Sequence, residues 1–204
     1  MRHHRWLLLP MLLASARTLP AQSNNIFMSI TTLELSAPLG DTRNYVKSTA
    51  GPGLTWEGRW AVRPSAALGA QLTVSQFSQH TNETMTFPSG AVTGDMLRHL
   101  VTGQVTGTAF WYPIKRDKVR WYAGGGLGGG HADQDFDLGT RQVSRSAWHM
   151  LITPEIGAEI RRADSLFVAV VSLRYNAPIS AGNYLGGGKR SFQYLTLRIG
   201  LGEE

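Results

Sequence analysis

The chain has 204 residues, enough for one domain or two small ones, and its lack of cysteine excludes disulfides, thiolate metal sites and thiol nucleophiles. Its net charge of +6 is poor evidence for a nucleic-acid partner. That charge is unevenly placed: without Arg2, Arg5 and Arg17 the 20 Lys and Arg become 17 against 14 Asp and Glu, so +6 falls to +3, and no nucleic-acid partner is expected.

Those three arginines lie in a segment with the layout of a secretory signal. Met1 to Arg5 is basic, Trp6 to Leu13 is apolar, and small residues lead to Ala21. The apolar stretch is shorter than the ~20 residues of a membrane-spanning helix. Cleavage after Ala21 leaves Gln22 as the mature start, and Ala14-Ser15-Ala16 offers a second site. No cysteine follows, so a lipoprotein anchor is excluded. The expected division is a signal peptide over 1–21 and one domain over 22–204.

From Asn25 onward eight segments alternate apolar and polar residues at period two, the signature of a strand with two environments. The first, about 25–36, sets Phe27, Thr31, Leu33 and Leu35 against Met28, Thr32 and Glu34. The second, 51–62, sets Leu54, Trp56, Gly58, Trp60 and Val62 against Thr55, Glu57 and Arg59. The third, 65–77, and the fourth, 98–112, oppose apolar residues to Gln71, Thr73, Gln104, Thr106 and Phe110. The fifth, 119–132, has Trp121 and Leu127 opposite Arg120 and Tyr122, and the sixth, 148–160, has His149, Glu155 and Glu159 opposite Trp148, Ile152 and Ile156. In the seventh, 166–176, and the eighth, 191–201, Leu173 and Leu197 oppose Arg174 and Arg198. One apolar face opposite a face bearing charges suits strands with lipid outside and a polar lumen inside.

The connections alternate in length. Short turns are expected at Arg63-Pro64, 114–118 and 162–165, and long polar loops at 37–50, 78–97, 133–146 and 177–190. Short turns at one end and long loops at the other describe an all-β, eight-stranded, antiparallel, up-and-down transmembrane β-barrel, its short turns in the periplasm. Trp60, Trp111, Tyr112, Trp121 and Phe167 fall near the short-turn end and are expected to form an aromatic girdle at headgroup depth, with Trp148 and Tyr175 at the other interface.

With the signal and these strands, the segment Arg120-Trp-Tyr-Ala-Gly-Gly-Gly-Leu-Gly-Gly-Gly130 makes the chain resemble the small outer-membrane β-barrel family of the OmpA-transmembrane and OmpX type. The resemblance covers nearly all of the expected mature chain and rests on strand patterning more than on identities. It implies a place in the bacterial outer membrane, with lipid and the barrel-assembly machinery as partners. Many members end in an aromatic residue that this machinery recognises, whereas this chain ends Arg198-Ile-Gly-Leu-Gly-Glu-Glu204.

Other constellations invite chemistry. The run Gly124 to Gly130 lacks the Lys-Ser/Thr of a phosphate loop and sits in a strand pattern, so a thin strand over a crowded lumen is expected. Asp133, Asp135 and Asp137 have the spacing that opens a calcium loop, but its twelfth position is Ser144, so no metal is expected. His80 near Ser78 and His149 near Ser146 are the candidate pairs for hydrolysis at the rim. The ionisable set Glu57, Arg59, Arg120, Glu155, Glu159, Arg174 and Arg198 is expected to form a structural lumen network, with Glu155 and Arg174 in reach of each other, because a narrow barrel must pair its charges. The reading is a non-enzymatic structural or surface-interaction protein without cofactor. A narrow channel, a lipid-modifying enzyme, and a soluble lipocalin-like barrel with its faces inverted are the alternatives.

Overall fold

The computed structural model describes residues 27–87, 90–116, 118–138, 141–161, 167–179, 182–183, 189–190 and 192–203. The expected signal segment and both of its cleavage sites lie outside the described residues. The strands are β1 (Phe27–Leu39), β2 (Gly53–Arg63), β3 (Ala66–Phe87), β4 (Gly90–Lys115), β5 (Val119–Leu138), β6 (Arg141–Arg161), β7 (Phe167–Pro178) and β8 (Gln193–Glu203). One six-residue helix, α1 (Gly40–Tyr45), follows β1. A two-residue ladder, Gly182–Asn183 with Lys189–Arg190, lies between β7 and β8.

Each barrel strand pairs antiparallel with its neighbours in sequence, and β8 returns to β1 from Ser29↔Glu203 to Leu39↔Gln193, closing the sheet. Closure leaves no edge at this level, so every backbone group finds a partner without water. Period two settles the sides. On β1, Met28, Ile30, Thr32, Glu34 and Ser36 are buried inside, while Phe27, Leu33 and Leu35 are exposed outside. On β6, His149, Leu151, Thr153, Glu155 and Glu159 face in, and Trp148, Met150, Ile152, Ile156 and Ile160 face out. The exposed large side chains form an apolar belt, with Leu54, Leu72, Val105, Leu127, Leu173, Leu197 and Ile199 among its members. A belt of that size around a charged interior is the surface of a barrel standing in lipid. A lipocalin-like barrel would show these faces exchanged.

Trp56 interrupts the belt with a polar atom, and its indole N–H is satisfied locally by donating to Ser29 Oγ at 3.0 Å. Phe27, Trp60, Trp111, Trp121 and Phe167 point outward at the short-turn end, with the Phe27 and Trp60 rings 5.0 Å apart. Tyr112 does not join them. It continues the inward series Thr108, Phe110 and is buried in the lumen, where its hydroxyl donates to Glu159 at 2.6 Å.

Two of the expected long loops are strand. β3 and β4 pair without a break from Ala66↔Trp111 to Phe87↔Gly90, and β5 and β6 from Val119↔Ile160 to Leu138↔Arg141. Segments 78–97 and 133–146 are therefore mostly ladder. They lost the apolar signal because a sheet standing in water can be polar on both faces and still pair, and their Thr and Val residues favour extension. In 37–50 the described chain finishes β1, turns through α1 and then runs irregularly from Val46, while in 177–190 the described residues are the end of β7, Ile179 and the two-residue ladder.

Candidate functional site: a sealed, charged lumen

The barrel interior is filled in three layers. The lowest, at the short-turn end, is apolar and aromatic: Met28, Ile30, Ala67, Phe110, Tyr112, Tyr122, Val168 and Val170. The uppermost closes the other mouth with Tyr45, Val46, Ala50, Phe77, Leu100, Ala132, Phe192 and Tyr194. Three of those eight come from the β1–β2 connection, which folds over the mouth. Several clips hold it there: Gln193 N–H donates to Thr42 Oγ1 at 2.7 Å, Tyr45 OH to the Asp135 carbonyl at 3.0 Å, and Arg98 Nη1 to the Tyr45 carbonyl at 3.1 Å.

Between these layers lies the charged one. Arg59, Arg174, Arg198, Glu34, Glu57, Glu155 and Glu159 are all buried. The contacts form a chain. Glu159 accepts from Tyr112 and from Arg59 Nη1 at 3.1 Å, and Arg59 Nε donates to Glu57 at 2.7 Å. Arg198 then bridges Glu57, 3.0 Å from Nη2, and Glu155, whose two oxygens each lie 2.7 Å from Nη1. Arg174 completes the layer, with Nη2 bonded to Glu34 and Nη1 donating to Gln71 at 2.6 Å. Below, the Arg59 guanidinium lies over the Phe110 ring at 4.0 Å and the Tyr122 ring at 4.4 Å, so it joins the polar and aromatic layers. Charges taken out of water are tolerable when paired and hydrogen-bonded. In this layer Arg174 Nε and Glu159 Oε2 make no hydrogen bond among the described residues, and the latter has Arg161 at 3.6 Å.

Of the expected set, Glu57, Arg59, Glu155, Glu159, Arg174 and Arg198 stand in this layer. Arg120 sits at the lower rim, about a quarter exposed, 3.7 Å from Glu159 and over the Tyr112 ring. Glu155 and Arg174 are directly opposed across β6 and β7, closer in register than a diagonal step. Their side chains nevertheless choose other partners, Glu155 taking Arg198 and Arg174 crossing to Glu34. Glu34 is the residue the sequence reading left out. It lies on the inward face of β1 and also accepts from Thr55 and from Ser75, the latter at 3.2 Å. The signal was its parity with Thr32.

The glycine run is a thin strand over a crowded interior. A Cβ at Gly128 would lie 2.0 Å from the Val105 carbonyl oxygen, and one at Gly130 would lie 2.8 Å from His149 Nε2. Asp133, Asp135 and Asp137 are alternate residues of extended β5, roughly 7 Å apart along it. They do not curl round an ion, and no cluster of three metal-ligating side chains occurs among the described residues. His149 and Ser146 point to opposite sides of β6, His149 inward. His80 Nε2 is 3.7 Å from Asp95 in an exposed pair, and no bond to Ser78 joins them among the described residues.

No protein-family model matches the chain, and no curated protein is recognisably similar to it in sequence. Solved structures are similar in fold. Neisserial surface protein A aligns at 13% identity with a TM-score of 0.52, over 87% of this chain and 96% of that one. This chain has the fold of a small outer-membrane β-barrel. The attachment invasion locus protein Ail of Yersinia pestis aligns with this barrel at 15% identity and TM-score 0.49, over 87% and 95% of the two chains. Outer membrane protein W of E. coli aligns at 15% and 0.44, over 90% and 99%.

Proposed function

We propose that the protein is exported by its N-terminal signal, inserted into the bacterial outer membrane by the barrel-assembly machinery, and acts there without catalysis as a structural and surface-interaction barrel. The observation that carries this reading is the contrast between a closed interior and an open exterior. Among the described residues the lumen is filled by two buried apolar layers and the ion-paired layer between them. An eight-stranded barrel is just wide enough for side chains to fill it, and this one is filled.

The surface above the membrane is different. β3 to β6 run 20–26 residues each, whereas β1, β2, β7 and β8 run 11–13, so four strands rise as a wall beyond the barrel. β2 last pairs with β3 at Leu54↔Val74, and β7 last pairs with β6 at Leu151↔Pro178. Above those points β3 keeps only β4 and β6 keeps only β5, and among the described residues no strand pairs with their outer edges, although Ser48 Oγ donates to the Ser78 carbonyl. Such edges offer backbone donors and acceptors to an extended segment of a partner.

Planar-bilayer conductance on the folded mature protein tests the closed lumen. No discrete steps above the lipid baseline are expected, and reproducible steps would favour the channel. A lipid deacylation assay on the same sample is expected to show no turnover.

A further inference from the structure

The outward face of β2 to β6 is dished at one height. Cross-strand registers stack the residues there into rungs. One rung reads Leu54, Val74, Gly103, His131, Trp148, and the rung below reads Trp56, Leu72, Val105, Gly129, Met150. All of these except Met150, together with Thr73 and Gln104, line an open apolar trough of about 460 Å³. Its floor is glycine that the fold does not require. A Cβ at Gly103 would meet nothing within 4 Å, and one at Gly129 would meet only the His149 carbonyl oxygen at 3.9 Å. Gly107, nearer the bilayer centre on β4, is equally open, its nearest neighbour being the Leu127 oxygen at 3.9 Å. Gly128 and Gly130, by contrast, have no room for a side chain.

The next rungs up change character. Val101, Asp133 and Ser146 share one, and His99, Asp135 and Ser144 the next. Val101, the two carboxylates, the two serines and Arg145 line a polar pocket of about 420 Å³. Both volumes lie in the range of small-ligand sites, roughly 300–1,000 Å³. At the junction stands Trp148, 77% exposed, with the His131 ring 4.8 Å from its own and His131 Nδ1 3.3 Å from Asp133. Trp148 is twelve residues above Ile160 on β6, about 30 Å up a strand tilted near 40°, so the junction lies at headgroup depth.

We propose that this face binds one glycolipid of the outer leaflet, its acyl chain in the Gly103–Gly129 trough and its sugar against Trp148, Asp133 and Asp135. The inference rests on the membrane reading, because at this depth what lies against an apolar trough is a hydrocarbon chain. The head is assigned by charge. Two carboxylates and two hydroxyls accept hydrogen bonds from sugar hydroxyls or an amine, and they repel a bare phosphate. Arg145 also borders the pocket, but it stands opposite the buried Gln134 in the β5–β6 register, so alternation sends its side chain towards the other face of the wall. An exposed indole supplies an apolar platform beside the polar pocket.

The test places the protein in phosphatidylcholine nanodiscs doped with increasing glucosyl diacylglycerol and follows the Trp148 indole N–H by NMR, assigned with Trp148→Phe. A saturable shift at Trp148 and at the Gly103 and Asp133 amides is expected. Gly103→Leu fills the trough and should weaken the site about tenfold, the loss of roughly two buried methylenes. Ala169→Leu, on the lipid face of β7, should leave it unchanged. Gly129→Val fills the same trough from β5 should Gly103→Leu fail to insert. The paired Asp133→Asn, Asp135→Asn variant should weaken the glycolipid response. A shift linear in lipid, equal behaviour of Gly103→Leu and Ala169→Leu, an equal response to phosphatidylglycerol, or a shift that follows protein concentration and so reports a second copy would each overturn the proposal. Heat-dependent gel mobility on the same samples reports the barrel separately, so the site can fail while the membrane reading stands.

Discussion

In the membrane all eight strands have two neighbours; above it β3 to β6 go on alone. The contrast follows from the solvent. Lipid supplies no hydrogen bonds, so an unpaired edge there is costly and the sheet must close. Water satisfies an edge, and the wall stops being a barrel where water begins. The interiors differ in the same way. In the barrel every charge is locked to another, as Arg198 is to Glu155, Glu57 and Glu34. On the wall an ion pair such as His80 with Asp95 is loose and exposed.

The largest effect should come from the locked region. Arg198→Met leaves three carboxylates short of a partner and should cost about 3–5 kcal/mol, read by urea unfolding in lipid. Glu155→Gln should also destabilise, and the double variant should cost less than the sum. The same cycle on Glu155 and Arg174 should show weaker coupling, because Arg174 spends its guanidinium on Glu34 and Gln71. Equal coupling in the two cycles would contradict the partner choice described above.

A somewhat smaller loss is expected on the outer face. Leu197 and Arg198 are adjacent and point to opposite sides of β8. Leu197→Arg should cost ~2–4 kcal/mol if it lies near the bilayer midplane. Spin labels on cysteine variants should find position 197 open to oxygen and position 198 protected, and the reverse would invert the whole barrel.

The wall sharpens the comparison without a mutation. Backbone amides of His80, Thr81 and Asn82 should exchange with solvent much faster than those of Gln71 to Val74 on the same strand, since the lower stretch is flanked by β2 and β4 and the upper only by β4. Equal protection along β3 would mean that something covers its upper edge.

The smallest effect concerns the cap at the boundary. Burial pushes the Tyr45 phenol from 10.0 up to about 12, against the pull of Arg98 and with help from Asp135 and Asp137. The unfolded phenol loses its proton first. The cap's contribution to stability is therefore complete below pH 10 and is lost as pH rises towards 12. Ultraviolet titration of wild type against Tyr45→Phe isolates this group, and an ordinary tyrosine midpoint would show that the β1–β2 connection does not stay closed.

Parity carried most of what was legible in the sequence. Adjacent residues on a strand must face opposite ways, so Leu197 and Arg198, or Trp121 and Tyr122, could be sorted without coordinates. The same rule, taken one step further, places Tyr112 with Phe110 inside and adds Glu34 to the charged layer. Clustering of aromatics near the turns points Tyr112 outward against that rule, whereas Glu34 already stands on the polar face of the first strand and needs only to be counted with the other charges. Segments 78–97 and 133–146 were misread for a physical reason: alternation of hydropathy reports a difference between two environments, and a wall in water has little difference to report.

By itself, then, the sequence determined that eight strands alternate, which side of each is apolar, and that charged residues must face one enclosed interior. It could not determine which charges meet. Glu155 and Arg174 are direct neighbours on paired strands, yet the arginine reaches past β8 to Glu34, because closure brings β1 to within one strand of β7. Nor could it show that the chain after α1 folds over the mouth, or that Gly103 and Gly129, 26 residues apart, share the floor of one trough. Those facts depend on distances around a closed circumference, and closure is a property of all eight strands together.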